Sequence, residues 1–433
     1  VTVGTPPESA RRLVALVRER LGGRTRLARQ FARCYLAPFT STIRDAPDGS
    51  VFVTTGDIPA MWLRDSAAQV RPYLPLARTD PTVAALLARV VRRQLRSILI
   101  DPYANAFNAR PDGRGHRFDR GEVPISPWVW ERKFELDSHC YPLQLAYLLW
   151  RATGSADHLD ATFRRAVEAI LAVWRREQRH ESASRYRFRR LFAKSSSRLA
   201  RGGRGSRTAE TGMVWSGFRP SDDACRFGYL VPANMFAVVA LSQLAELADE
   251  VLHDRALSAT ARQLAAEIDA GIRRHGVVEH ETFGAIYAYE TDGLGHHLLM
   301  DDANVPSLLS IPYLGYREAG DPIYRNTRRF ALSAANLHFF RGTAAAGIGS
   351  PHTPRRHAWP LAIAMQGLTA SDSDEREQLL GMLERTDAGT ERMHESFHVD
   401  NPARFTRAEF GWADALFCEL VLAHCGVALP GSA

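Results

Sequence analysis

The chain has 433 residues, 45% of them hydrophobic and 24% charged. That is ordinary globular composition, enough to bury a sizeable core in one large domain or a few smaller ones, and it excludes a disordered or low-complexity chain. The net charge of +7 is nearly all arginine dispersed along the sequence, and five cysteines lack any CxxC or Cys/His spacing, so neither a nucleic-acid binder nor a metal centre is the first expectation.

Residues 8–21 and 24–37 place apolar residues at helical spacing and predict two helices. Short β-like pieces follow at Phe39–Thr42 and Val51–Thr55. Thr55-Gly56-Asp57-Ile58-Pro59-Ala60-Met61-Trp62-Leu63-Arg64-Asp65-Ser66 then leads into a helix expected to reach about Leu76. Arg64 and Asp65 put a donor fork and an acceptor side by side, suited to adjacent hydroxyls; an ion pair at a helix start is the plainer reading.

Residues 81–100 predict another helix, and 101–133 a long loop ordered by Phe107, Trp128 and Trp130. Glu135, Asp137 and His139 alternate before a helix at Cys140–Arg151. In an extended run they would share one face, as sugar contacts or as a polar core network. Helix 156–178 comes next, then an Arg-rich stretch at 179–212 containing Ser195–Ser197. That stretch reads as a solvated loop, with phosphate or nucleic-acid binding as the alternative.

The centre of the chain is Gly217-Phe218-Arg219-Pro220-Ser221-Asp222-Asp223-Ala224-Cys225-Arg226. Gly217 and Pro220 forbid a regular helix there, while Leu230–Leu252 reads as one. Asp222 and Asp223 are therefore expected on a loop feeding a helix, as caps or as chemistry. Trp215, Phe218, Arg219 and Tyr229 nearby suggest an aromatic wall for a sugar ring. After two helices in 228–275, residues 276–299 predict a β-hairpin. A second acidic pair, Asp301-Asp302, with Asn304, is expected to open a helix at Val305–Ile311. Helices near 322–333, 358–370, 373–386 and 406–424 complete the pattern. His352 lies in a Ser-Pro-His-Thr-Pro loop, and Glu395 in Met-His-Glu-Ser-Phe, where a structural ion pair with His394 or His398 is the plain alternative.

About a dozen helices without β/α alternation, joined by polar and aromatic loops, predict an all-α fold: one (α/α)6 barrel over 1–433 with short β-hairpins in its loops. Phosphate-loop, dinucleotide-fold and nucleophile-elbow patterns are not evident. Carboxylates beside aromatics favour glycoside chemistry, in which one carboxylic acid protonates the leaving oxygen and a second carboxylate activates water or attacks.

The runs TGDIPAMWLRDSAAQVRPY, WERKFELDSHCYPL, TGMVWSGFRPSDDACRFGYLVPANMFA, DDANVPSLLSIPYLG, SPHTP and MHESFHVDNPARFTRAEFGWADALFCEL resemble glycoside hydrolase family 125. The likeness runs from about residue 8 to 425. It implies an inverting exo-α-1,6-mannosidase that needs no metal or other cofactor. It places the general acid in the Ser221-Asp222-Asp223 motif and the general base at Glu395. Asp222 is taken as the acid and Asp223 as a sugar ligand, the reverse assignment remaining open. Trp62, Arg64, Asp65, Glu135, Asp137, His139, Arg219, Asp302, Asn304 and His352 would line the sugar subsite. On this reading burial and neighbouring carboxylates hold Asp222 protonated. The expected partner is a mannose-containing oligosaccharide, not nucleic acid or a membrane, and a cytoplasmic monomer is expected, with no apolar leader or membrane-length apolar run in view. A glucoamylase- or trehalase-like enzyme and a non-catalytic sugar-binding protein are the alternatives.

Overall fold

The computed structural model describes residues 4–115, 118–191 and 195–429. Positions 192–194 of the Arg-rich stretch, and both ends of the expected 1–433 domain, lie outside the described residues.

Helices dominate, and most follow the apolar periodicity. Pro81–Ile100 coincides with its expected span because Asp80 caps it, accepting from Thr82 N and Val83 N, and Pro81 fits the first turn. Asp160 does the same for Ala161–Glu177, so that helix starts later than the pattern suggested. Thr25–Ser41 runs through Phe39, where a strand was expected. Phe31, Tyr35, Pro38 and Phe39 keep one buried stripe, and the first strand is Ile43–Asp45.

Leu63–Val70, Asp137–Thr153, Val231–Glu250 and the short helix Ile311–Leu314 pack in succession, as do Pro360–Leu368, Gly411–His424 and again Leu63–Val70. Outer partners cover several of them: Pro81–Ile100 lies on Asp137–Thr153, Arg255–His275 on Val231–Glu250, Ser373–Arg385 on Pro360–Leu368, and Thr25–Ser41 on Gly411–His424. Val231–Glu250 is long and apolar enough to cross a membrane by length and composition, which the sequence reading had excluded for every segment. It is instead a core helix, packed against Asp137–Thr153, Arg255–His275 and Ile311–Leu314.

Short antiparallel strands sit in the loops before these inner helices. Met61–Trp62 pairs with Ala106–Phe107, Tyr229–Leu230 with Glu290–Thr291, and Ser396–His398 with both His357–Ala358 and Asn401–Thr406. The expected hairpin forms between Val277–His280 and Gly284–Tyr287.

One expected helix does not form and another starts late, both for local reasons. At 305–311 side chains take the backbone groups a helix would use: Asp301 accepts from Leu308 N and Leu309 N, and Ser307 and Ser310 exchange bonds with each other's backbone. At 406–410 the chain is still pairing, since Glu395 N donates to Arg407 O at 3.3 Å, and the helix begins only at Gly411.

Candidate active site

The loops that precede the inner helices converge on one pocket. Thr55, Ile58, Trp62, Arg64, Asp65, Pro220, Ser221, Asp222, Asn304, His352, Trp359, Glu395, Arg407, Phe410 and Trp412 line it. Residues more than 300 positions apart in sequence, such as Thr55 and Trp412, meet there.

Asp222 stands at the tip of a tight turn, not at a helix cap. Asp222 N donates to Arg219 O at 2.9 Å, Arg219 N to Asp223 O at 2.8 Å, and Cys225 N to Gly217 O at 2.9 Å. Asp222 itself has φ +66°, the left-handed region that costs a residue with a Cβ about 1 kcal/mol or more. Two anchors hold it there. Lys133 Nζ, almost fully buried, donates to Asp222 O at 2.8 Å and lies 3.2 Å from Glu131 Oε1. Glu290 accepts from Arg219 Nε at 2.6 Å and from Arg226 N and Phe227 N, both at 2.8 Å. The helix follows nine residues after Asp222, at Val231, so the expected helix-start environment for the pair is not what the fold provides.

Arg64 is the hub behind the pocket. Its Nη1 donates to Glu135 Oε2 at 2.7 Å and to Asp137 Oδ2 at 3.0 Å, its Nη2 lies 3.8 Å from Asp222 Oδ1, and its guanidinium lies over Trp412 at 5.3 Å from the ring centre. Asp65 accepts from Thr55 Oγ1. Elsewhere in the pocket lining Arg407 Nη1 is 3.5 Å from Glu395 Oε1, while its other nitrogens hold Asp57. Asp223 Oδ1 is 3.3 Å from His352 Nδ1. Asp302 Oδ1 accepts from both nitrogens of Asn304, and its Oδ2 from Ser350 Oγ.

Of the expected site residues, Trp62, Arg64, Asp65, Asp222, Asn304, His352 and Glu395 line the pocket. Asp223 and Asp302 stand one layer back and orient His352 and Asn304. Glu135 and Asp137 are not on the sugar face: both are buried and spent on Arg64. His139 is elsewhere altogether. The helix begins at Asp137, so these residues do not share an extended face. His139 Nε2 meets Pro102 O at 2.7 Å, and its Nδ1 accepts from Trp174 Nε1 at 3.0 Å. Arg219 is committed to Glu290 and to the Tyr289 ring. The aromatic wall also differs from expectation. Trp215, Phe218 and Tyr229 are core residues, Trp215 stacking on His180 at 3.8 Å, and the pocket walls are Trp62, Trp359, Phe410 and Trp412. Sequence reasoning missed Arg407, Trp412, Lys133, Asn105 and Glu290. A Trp following the Phe410-Gly411 start of a helix repeats the Trp62 arrangement and was the available signal for Trp412.

Electrostatics reverse one expectation. Burial alone would raise Asp222, but Lys133 and Arg64 outweigh it and pull the carboxyl below its ordinary range. Glu135 moves the other way: burial, then the nearby Asp222 and Asp137, push it well above its ordinary value against the pull of Arg64. Burial also raises Asp65 and Asp137, again against Arg64. His352 is raised, the bond to Asp223 overcoming the burial that would lower it. Among the described residues no group of three or more His, Cys, Asp or Glu side chains is arranged to hold a metal ion.

The sequence from 24 to 422 matches the family model described as metal-independent alpha-mannosidase. The chain belongs to glycoside hydrolase family 125. This family-125 chain is a glycoside hydrolase of the α-mannosidase type. It is 40% identical to the meiotically up-regulated gene 157 protein of Schizosaccharomyces pombe, over 92% of this chain and 82% of that one. It is 45% identical to a Streptococcus pneumoniae metal-independent alpha mannosidase, solved as a non-productive complex with alpha-1,6-mannobiose. That match has a TM-score of 0.96 and covers 98% of this chain and 100% of the other. A wild-type glycosidase at 16% identity and TM-score 0.54, covering 98% of this chain and 100% of its own, shares the family-125 fold alone.

Proposed function

We propose that the protein is an exo-acting α-1,6-mannosidase that inverts the anomeric centre, built as a single (α/α)6-barrel catalytic domain. The observation that carries this is the placing of Asp222 and Glu395 in one small pocket walled by Trp62, Trp359 and Trp412. The succession of inner helices, several of them backed by an outer one, supports the barrel. The pneumococcal relative's complex with alpha-1,6-mannobiose supports the linkage.

Asp222 acts as general acid to the glycosidic oxygen. Glu395 takes a proton from the water that attacks C1 on the opposite face, with Arg407 keeping its carboxylate in place. An inverting pair stands about 6.5–9.5 Å apart so that this water fits between carboxylate and sugar. Tryptophan faces stack on the apolar side of the ring. Trp62 Nε1, Ser221 Oγ, Arg64 Nε and Asp223 Oδ2 are buried without a hydrogen-bond partner among the described residues, and Trp62, Ser221 and Arg64 line the pocket. Buried polar atoms of this kind cost about 1–3 kcal/mol each unless a ligand hydroxyl satisfies them. All five cysteines are buried and unpaired, which supports work in a reducing compartment such as the cytoplasm.

The test is hydrolysis of a panel of α-1,6-, α-1,3- and α-1,2-mannobiose and maltose. Release of mannose from the α-1,6 isomer well above the others is expected. Preference for maltose would move the reading to a glucoamylase-like enzyme.

A further inference from the structure

Behind Asp222 the hydrogen bonds do not balance if every carboxylate is ionised. Asn105 is oriented by Lys133 N, which donates to its Oδ1 at 3.2 Å, so its NH2 faces the carboxylates. An amide NH2 has only two hydrogens. Yet Glu135 Oε1, Glu131 Oε2 and Asp222 Oδ1 surround that nitrogen at 3.0, 3.1 and 3.2 Å. Glu135 Oε1 and Asp222 Oδ1 thus share one nitrogen, and both also face the Arg64 guanidinium, so the two carboxyls are close neighbours.

The charges are unequal as well. Among the described residues, Asp65, Glu135, Asp137 and Asp222 face Arg64 and Lys133, and Lys133 also lies 3.2 Å from Glu131. Arg407 is spent on Asp57 and Glu395, His352 faces Asp222 from the rim, and the buried Cys225 thiol supplies no cation. Like charges this close in a dry interior do not all ionise, so the cluster retains a proton. The side chain of Glu135 is fully buried, whereas that of Asp222 is 27% exposed and has the Lys133 ammonium beside its own carbonyl. The proton of the empty site therefore belongs on Glu135, in agreement with the opposite displacements of the two carboxyls.

We propose that Glu135 is the proton store of the general acid: the pair holds one proton, which rests on Glu135 and passes to Asp222 as the leaving oxygen engages it. This deepens the reading above and rests on Asp222 being the acid. In the step, that single proton moves from Glu135 to Asp222 and from Asp222 to the glycosidic oxygen. The C1–O bond breaks with its electron pair on that oxygen, and water adds to C1 while Glu395 takes its proton. Exchange with solvent then returns a proton to the pair and removes one from Glu395. Glu135 touches no substrate; it is a positioning residue for the proton.

The experiment compares the wild type, Glu135→Gln, Asp222→Asn and Ser138→Ala on α-1,6-mannobiose and on 2,4-dinitrophenyl α-mannoside, whose leaving group needs no proton. Glu135→Gln mimics the protonated side chain but cannot give the proton up. It should lose about 10²–10⁴-fold in kcat/KM on mannobiose, the usual range for a general acid, and far less on the aryl mannoside. Asp222→Asn should show the same split. Ser138 Oγ donates to Glu135 Oε2 at 2.9 Å and stabilises its ionised form, so Ser138→Ala should move the basic limb of the mannobiose pH profile to higher pH. If Asp222→Asn splits the two substrates but Glu135→Gln keeps the wild-type mannobiose rate and basic limb, the proton-store role is wrong and the acid assignment stands. If Asp222→Asn hydrolyses mannobiose normally, the acid assignment fails and takes the store with it. Should Glu135→Gln not fold, Ser138→Ala decides, and an unmoved basic limb overturns the proposal.

Discussion

Lys133 Nζ donates to the backbone carbonyl of Asp222 at 2.8 Å, from a side chain that is 3% exposed. One buried cation thus fixes the left-handed backbone of the acid-bearing turn and lowers the affinity of its carboxyl for a proton. Its Nζ also lies over the ring of the buried Phe218, 5.3 Å from the ring centre. The same residue therefore links the turn's geometry, its charge and the core beneath it.

Lys133→Met should be costly in two separable ways. Removing one partner of a buried ion pair costs about 3–5 kcal/mol, which urea unfolding would read directly. Asp222 should also bind its proton more tightly once the ammonium is gone, moving the basic limb of the mannobiose profile to higher pH. A variant with wild-type stability and an unmoved profile would contradict both roles.

Glu395→Gln should lose about 10²–10⁴-fold on both mannobiose and the dinitrophenyl mannoside, since water must be activated whichever group leaves. That uniform loss contrasts with the split expected of Asp222→Asn. Retained turnover on the aryl substrate alone would remove Glu395 from the water-activating role.

His139 gives the fold a pH dependence unconnected with catalysis. Burial lowers it from 6.5 to about 4, against the bond to Pro102 O. The unfolded chain takes up this proton below about pH 6.5, the folded one only near 4, so stability is complete above 6.5 and falls as pH drops through that window. Between pH 7 and 5 this group should account for about 2 kcal/mol of lost stability. His139→Gln should lose correspondingly less over the same interval, and an equal loss in both proteins would contradict the account.

Gly56 tests the pocket lining at Phe410. It has φ +112°, bridges to Phe410, and a Cβ there would meet Glu409 O at 2.6 Å. Gly56→Ala should destabilise by about 1–3 kcal/mol and raise KM by shifting Phe410. Unchanged stability and KM would show that the segment moves freely.

Much of this was legible in the sequence because its signals are local. Helical periodicity located the core helices, and Trp62, Arg64, Asp65 and Asp222 stood out by residue type and setting, whereas Asn304, His352 and the role of Glu395 came only with the family resemblance. The misses are long-range. Nothing within WERKFELDSH says that Arg64 will consume Glu135 and Asp137, or that His139 will turn toward Trp174. That depends on the helix starting at Asp137 and on which face meets Leu63–Val70. Trp215 looked like a sugar platform because sequence proximity to Asp222 cannot distinguish a core face from a pocket face. The lowered Asp222 carboxyl was invisible for the same reason: its cation, Lys133, is 89 positions away.

The central claim is a water-activating Glu395 opposite the acid Asp222, and the configuration of the released sugar tests it most directly. Hydrolysis of α-1,6-mannobiose followed by proton NMR before mutarotation should show β-mannose as the first product. Release of α-mannose would keep the enzyme a mannosidase but make the reaction retaining, with a carboxylate attacking C1 in place of water.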